Sequence, residues 1–280
     1  MSSKIVLVTG AAAGIGKAIA LRLQKAGWTV YASARRESQL TELAAAGCRT
    51  VALDVADEES RVAAIRRIEA EAGPVGVLVN NAGYSQSGAM EELPLDRLRA
   101  QFETNVFGLV RLCQLVLPGM RAQKWGKIVN IGSMGGTLTF PGGGAYHASK
   151  YALEAISDAM RFEVRNFGVD VVLVQPGLIK SGFAEAVVAK MDEVEGPYAS
   201  FNAAVSRATV EAYERGPLAR LGGVPEDVAA VVQRAIEARK PRARYTVTAS
   251  ATFLMTQRWL LPDSAWDQVL AASFPAPGAA

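Results

Sequence analysis

Three side chains in this 280-residue chain have the types and spacing for proton transfer beside a carbonyl: Ser133, Tyr146 and Lys150. Tyr146 and Lys150 stand four residues apart at the start of a helical pattern, so they share a face and their side chains are neighbours. A free phenol titrates near ~10, too high for easy proton exchange at neutral pH, and an adjacent ammonium favours its anion. A lowering of ~3 units would correspond to roughly 4 kcal/mol of differential stabilisation. Such a tyrosine can protonate a carbonyl oxygen during reduction or take a proton from an alcohol in the reverse direction. The same AYHASK stretch carries His147, the only histidine in the chain. It lies about 100° around the helix from Tyr146 and reads as a bystander.

These residues need a scaffold that brings the ends of distant segments together. Short runs rich in valine and isoleucine recur at Lys4–Val8, Thr29–Ala34, Thr50–Val55, Val75–Asn80, Lys127–Gly132 and Val169–Val174. Their length and composition suit buried parallel strands. Helical patterns at Ile15–Ala26, Asp57–Ala72, Leu95–Ala122 and Ala145–Phe167 alternate with them. The alternation predicts a doubly wound α/β fold, a parallel sheet with helices on both faces and right-handed crossovers. Ligands of such sheets bind beyond the carboxyl ends of the strands, where Ser133 ends the fifth run and can aim its hydroxyl at a substrate oxygen.

The first strand runs into Thr9-Gly10-Ala11-Ala12-Ala13-Gly14-Ile15-Gly16, and a helix follows. Glycines there permit a tight turn and close approach of backbone to a pyrophosphate, and the helix N-terminus attracts its charge. This predicts a dinucleotide loop over Gly10, Ala12, Ala13, Gly14, Ile15 and Gly16. The second strand ends in Ala34-Arg35-Arg36, where a carboxylate would bind a ribose 2′-hydroxyl. Two guanidiniums stand there instead and suit a 2′-phosphate, which predicts NADP(H) over NAD(H). At the end of the third strand Asp54, beside Val55, reads equally as an acceptor for an adenine amino group and as a local cap.

Composition narrows the remaining choices. Half the residues are apolar, one-fifth are charged and the net charge is +3, which is no nucleic-acid signature. Cys48 and Cys113 lack paired spacing, so no metal site and no disulfide are expected. No signal segment and no transmembrane run is expected, which points to the cytoplasm.

Beyond Pro176-Gly177 the alternation stops, and residues 178–224 carry glycine–proline breaks and many apolar side chains, among them Phe183, Val187, Val188, Met191, Tyr198, Phe201, Val205 and Tyr213. They read either as a lid over a hydrophobic substrate or as packing on the sheet edge. A helix near Glu226–Ala238, a strand at Arg244–Thr248 and two short helical patterns, Ala251–Leu261 and Ser264–Ala272, complete the chain before PAPGAA, expected to fray. With no repeat or linker, one domain spans 1–280, with the lid at 178–224 and a C-terminal extension at 249–280. Gly142-Gly143-Gly144 reads equally as a flexible turn and as space beside the substrate. The basic cluster Arg239, Lys240, Arg242 and Arg244 reads as a solvated turn or an anionic-membrane contact.

TGAAAGIG (9–16), NNAG (80–83), Asn105, Ser133, YHASK (146–150) and PG (176–177) together resemble the short-chain dehydrogenase/reductase family of the compact type. The longer C-terminal part resembles its hydroxysteroid and retinol dehydrogenase branch. The resemblance implies a Rossmann-type sheet of seven strands ordered 3-2-1-4-5-6-7 and a homodimer or homotetramer. It implies a catalytic set of Asn105, Ser133, Tyr146 and Lys150, with Asn105 holding a water that relays protons to Lys150. Tyr146 and Lys150 would also touch the cofactor. Asn81, Ala82 and Gly83 would line its adenosine side; Pro176, Gly177, Ile179 and Ser181 would line its nicotinamide side. Ser181 stands where the family often has threonine, and Ala13 where it often has serine.

The function expected is hydride transfer between NADP(H) and a carbonyl or alcohol of a hydrophobic small molecule, such as a steroid-, retinoid- or lipid-like ketone or aldehyde. The alternatives are a non-catalytic NADP(H) sensor, an acyl-thioester ketoreductase, and a lyase or epimerase of the broader superfamily.

Overall fold

The structure is a computed structural model and describes residues 3–191, 195–274 and 276–277. Parts of PAPGAA and of the 178–224 segment therefore lie outside the described residues. Seven strands form one parallel sheet: β1 (Ile5–Val8), β2 (Thr29–Ala34), β3 (Arg49–Ala52), β4 (Val77–Asn80), β5 (Gly126–Ile131), β6 (Val169–Pro176) and β7 (Arg244–Val247). Their order is β3-β2-β1-β4-β5-β6-β7, as expected.

The helices are α1 (Gly14–Lys25), α2 (Thr41–Ala45), α3 (Glu58–Ala72), α4 (Leu95–Phe102), α5 (Gly108–Ala122), α6 (Gly144–Val164), α7 (Phe183–Val188), α8 (Ala199–Val210), α9 (Pro225–Glu237), α10 (Ala249–Leu260) and α11 (Asp263–Ala271). Successive strand residues point to opposite faces, so each central strand feeds two cores. Val6 and Val8 pack with Ile19, Leu23, Val228 and Val232 of α1 and α9. Leu7 and Leu78 pack on the other face with Ile65, Leu112 and Leu153 of α3, α5 and α6. A run buried on both faces cannot alternate with polar residues, which is why the strands read as unbroken apolar stretches.

Two departures from the expected elements bear on function. The single helix expected over Leu95–Ala122 is divided by a π-turn at Glu103–Phe107, which contains Asn105. Wide turns of this kind insert a residue into the helical ladder and recur at functional sites. The 178–224 segment is also more regular than its breaks suggest: it holds α7 and α8, a π-turn at Glu211–Arg215 and a 3₁₀ turn at Pro217–Leu221. Glycine and proline there separate helices.

Candidate active site

A groove of about 860 Å³ runs along the carboxyl ends of the strands. One end is the glycine loop. Gly10 and Gly14 have φ of 64° and 54°, the left-handed region that favours glycine. A Cβ on Gly10 would lie 2.8 Å from Ala82 Cα, so the loop after β1 and the loop after β4 touch backbone to backbone. The Asn81 side chain ties the same loops, donating to the carbonyls of Thr9 at 2.9 Å and Gly10 at 3.0 Å. The α1 N-terminus opens onto this cradle without a side-chain cap, leaving its first N–H groups for an anion. Shape and donors both fit a dinucleotide.

Most of the residues expected at the cofactor line the groove: Gly10, Ala12, Ala13, Gly14, Ile15, Arg35, Asp54, Val55, Asn81, Ala82, Gly83, Pro176, Gly177, Ile179 and Ser181, with Tyr146 and Lys150. Gly16 is buried behind it and lets α1 close on the Gly10 carbonyl. Arg36 is exposed and does not line the groove. Asp54 lines it, and one of its carboxylate oxygens accepts from the Ala56 N–H at 3.0 Å as a local cap.

At the other end Ser133, Tyr146 and Lys150 converge. Lys150 Nζ donates to the Ile131 carbonyl at 2.8 Å and sits 5.7 Å from the centre of the Tyr146 ring. Ser133 Oγ accepts from the Gly135 N–H at 3.0 Å, which orients the hydroxyl at the end of β5. The expected lowering of the phenol is not what this geometry produces. Burial pushes Tyr146 up to about 12, against a smaller lowering by the Ser133 hydroxyl. Burial also brings Lys150 down to about 8. Burial strips water from both charged forms, which disfavours each of them. At neutral pH the phenol therefore keeps its proton and the lysine its charge.

Asn105 does not line the groove. Its Nδ2 donates to the Tyr84 carbonyl at 2.9 Å and to Ser149 Oγ at 3.0 Å, and its Oδ1 accepts from the Tyr84 N–H at 3.1 Å. The side chain clamps the peptide that follows Gly83 and so holds one wall of the groove. Behind it, Asn80 donates to Asn130 Oδ1 at 2.9 Å and braces β4 against β5.

His147 is no bystander in the packing. It is buried, with Nδ1 3.0 Å from the Gly135 carbonyl and Nε2 accepting from the Phe140 N–H at 3.3 Å. That pair of partners requires a neutral ring with the proton on Nδ1. Burial holds its pKa below the ordinary range, against a smaller upward push from the Gly135 hydrogen bond. The ring also occupies the space above Gly135 and Gly143, where added Cβ atoms would lie 2.5 and 2.7 Å from it. Gly143 thus belongs to a fitted contact. Facing in a different direction from the Tyr–Lys pair excludes direct proton transfer with substrate; it does not exclude a role in shaping the 133–143 loop.

Over the reacting end lie two aromatic rings from the 178–224 segment. Phe183 stands 5.7 Å from Tyr146 and 5.7 Å from Tyr213, centre to centre, and both line the groove. Burial, and secondarily Tyr146, raises the Tyr213 phenol far above its usual range. The remaining apolar residues of the segment divide. Phe201 and Val205 are buried against Ala89, with Met191 and Tyr198 packed beside them, in a cluster of their own. Tyr84 and Lys190 also line the groove. Neither was marked by spacing, although the place of Tyr84 directly after NNAG was a signal.

The short chain dehydrogenase family model matches residues 4–192. The chain is 34% identical to a 3-ketodihydrosphingosine reductase of Bacteroides thetaiotaomicron, over 94% of this chain and 95% of that protein. It is 33% identical to an NADPH-dependent 3-dehydrocapnine reductase of Ornithobacterium rhinotracheale, over 95% of each chain. A crystal structure of a short-chain dehydrogenase from Streptomyces avermitilis superposes with a TM-score of 0.80 at 35% identity, covering 96% of this chain and 95% of that one. With its strand order, its glycine loop and its Ser–Tyr–Lys convergence, the chain belongs to the short-chain dehydrogenase/reductase family of oxidoreductases.

Proposed function

We propose that the protein is an NADP(H)-dependent reductase of a hydrophobic ketone or aldehyde, with Tyr146 as acid, Ser133 as carbonyl donor and Lys150 as the cation behind them. The observation that carries this reading is the meeting of these three side chains under the Phe183 and Tyr213 rings at the inner end of a dinucleotide-shaped groove. The nicotinamide, when bound, supplies the hydride. Ser133 Oγ and the Tyr146 hydroxyl then hold the substrate oxygen as it gains negative charge. Tyr146 gives that oxygen its proton, and the Lys150 ammonium stabilises the phenolate left behind. A phenol raised to about 12 keeps its proton at neutral pH, the form that protonates a carbonyl oxygen, and the lysine below about 8 keeps its charge beside it.

Asp54, Asn81 and the glycine loop would hold the adenosine and pyrophosphate, and Pro176, Gly177, Ile179 and Ser181 the nicotinamide side. Arg35 at the end of β2, with no carboxylate in the ribose position, supports NADP(H), as does a relative described as NADPH-dependent. The aromatic cover supports an apolar substrate, and relatives named for ketodihydrosphingosine and dehydrocapnine favour a lipid-like ketone. Asn105 acts here by holding the Tyr84 peptide. No helix among the described residues is long and apolar enough to cross a membrane. We place the protein in the cytoplasm as one domain. Phe107 on the π-turn, and Tyr151 and Phe162 on α6, present exposed rings that support a homodimer or homotetramer.

The deciding experiment is NADPH consumption with a panel of long-chain ketones, aldehydes and acyl thioesters. Turnover of lipophilic ketones supports the reading. Tight NADPH binding with no turnover across the panel would favour a sensor, and activity confined to acyl thioesters would favour a ketoacyl reductase.

A further inference from the structure

A second cation reaches the groove from far along the chain. Arg35 lines the groove but its neighbour Arg36 does not, while Lys190, after α7, lines it from the far side of β1. Lys190 is held in place by its backbone: its carbonyl accepts from Gln86 Nε2 at 3.2 Å and its N–H donates to the Val187 carbonyl at 3.1 Å. Gln86 is itself buried, with its N–H donating to Gln101 Oε1 at 2.6 Å. The Lys190 ammonium lies 3.5 Å above the centre of the Tyr84 ring, a contact in which the ring face attracts the cation. The Tyr84 peptide is fixed in turn by Asn105. The ammonium thus has a defined post immediately beyond Asn81-Ala82-Gly83.

Its electrostatic surroundings are unfavourable. Burial, and after it the charge of Arg35, holds Lys190 below its ordinary range. Among the described residues neither Lys190 nor Arg35 pairs with a carboxylate. Two uncompensated cations that feel each other across a groove are relieved by an anion between them. The pyrophosphate has its own donors at the glycine loop and the α1 N-terminus, whereas the partner that Lys190 senses is Arg35, at the β2 end.

We propose that Lys190 is a specificity-determining residue that binds the 2′-phosphate of NADP(H) together with Arg35, from the opposite wall of the groove. The proposal rests on the NADP(H) reading. It makes the turn after α7 part of the cofactor site as well as the substrate cover, so cofactor choice and the position of this turn are linked.

Direct binding tests this without turnover. NADPH and NADH are titrated by fluorescence into the purified wild type and into Lys190→Met, Lys190→Arg, Arg35→Met and Arg36→Met. Lys190→Met is expected to weaken NADPH about tenfold, the scale of one charge-assisted contact, and to leave NADH within about twofold. Lys190→Arg keeps the preference. Arg36→Met changes it less than Lys190→Met does. In the Lys190→Met/Arg35→Met double variant the losses are non-additive for NADPH and additive for NADH. Equal weakening of both nucleotides by Lys190→Met, or no weakening of either, overturns the assignment. A wild type that binds NADH as tightly as NADPH overturns the cofactor reading itself, a separate result.

Discussion

The rim of the sheet from β1 to β6 and the segment that covers it do different jobs with different materials. On the rim, Asn80, Asn81, Asn105, Ser133 and Lys150 each make at least one side-chain hydrogen bond, to backbone or to a neighbouring side chain, at 2.8–3.4 Å. In the cover, α7 and the π-turn at Glu211–Arg215 turn the Phe183 and Tyr213 rings to the groove, with Lys190 beside them. A hydrogen-bonded rim can hold a reacting geometry to a fraction of an ångström; an apolar cover excludes water and adapts to the substrate's shape. The contrast teaches that rate should reside in the rim and selectivity in the cover.

The largest expected effect is on the rim. Tyr146→Phe removes the phenol assigned to protonate the substrate oxygen and is expected to lower kcat by at least ~10³-fold, within the range for positioned acids. NADPH affinity from titration should be unchanged within about threefold. A variant retaining a tenth of the activity would dissolve the distinction drawn here.

Next comes His147, which belongs to the rim although it does no chemistry. His147→Ala leaves the Gly135 carbonyl and the Phe140 N–H without partners and empties the space over two glycines. A loss of about 1–3 kcal/mol in urea unfolding is expected. The sign with pH follows from the lowered pKa. In the folded protein the ring stays neutral while the unfolded ring gains a proton below about 6.5. Stability contributed by the neutral ring is therefore present above that pH and lost as pH falls through the lower folded value. The gap between wild type and His147→Ala should narrow in acid. A gap that widens in acid would contradict the tautomer assigned here.

Lys150 sets a pH-dependent effect on the same chemistry. It loses its charge through about 8, long before Tyr146 titrates. The reduction rate at saturating cofactor should fall as pH rises through that range, and Lys150→Met should abolish this limb along with most of the activity. A rate that climbs steadily to pH 10 would sink the donor reading.

The smallest effect belongs to the cover. Phe183→Ala removes one ring from between Tyr146 and Tyr213. It is expected to raise KM for a long-chain ketone about tenfold, the scale of one buried aromatic contact, with kcat changed less than threefold. A mainly kcat effect would move Phe183 from cover to rim and redraw the boundary between them.

Local pattern alone determined the sheet, the glycine cradle and the Tyr–Lys pair. Strands buried on both faces must be apolar throughout, a loop that admits pyrophosphate needs glycine at positive φ, and four residues of helix bring two side chains together. Each of these is a short-range necessity, so Val6, Gly10 and Tyr146 declare it in their own neighbourhoods. Tertiary structure alone decided the rest. The π-turn at Asn105 depends on a partner peptide at Tyr84, 21 positions away. The division of the cover, with Phe183 facing the groove and Phe201 facing Ala89, depends on how α7 and α8 pack. The sign of the Tyr146 shift depends on burial, which no i, i+4 spacing reports. The meeting of Lys190 and Arg35 at one groove joins residues from the two sides of β1. Its cause is the crossover geometry of the sheet, which carries charge across a groove without leaving a mark in either local sequence.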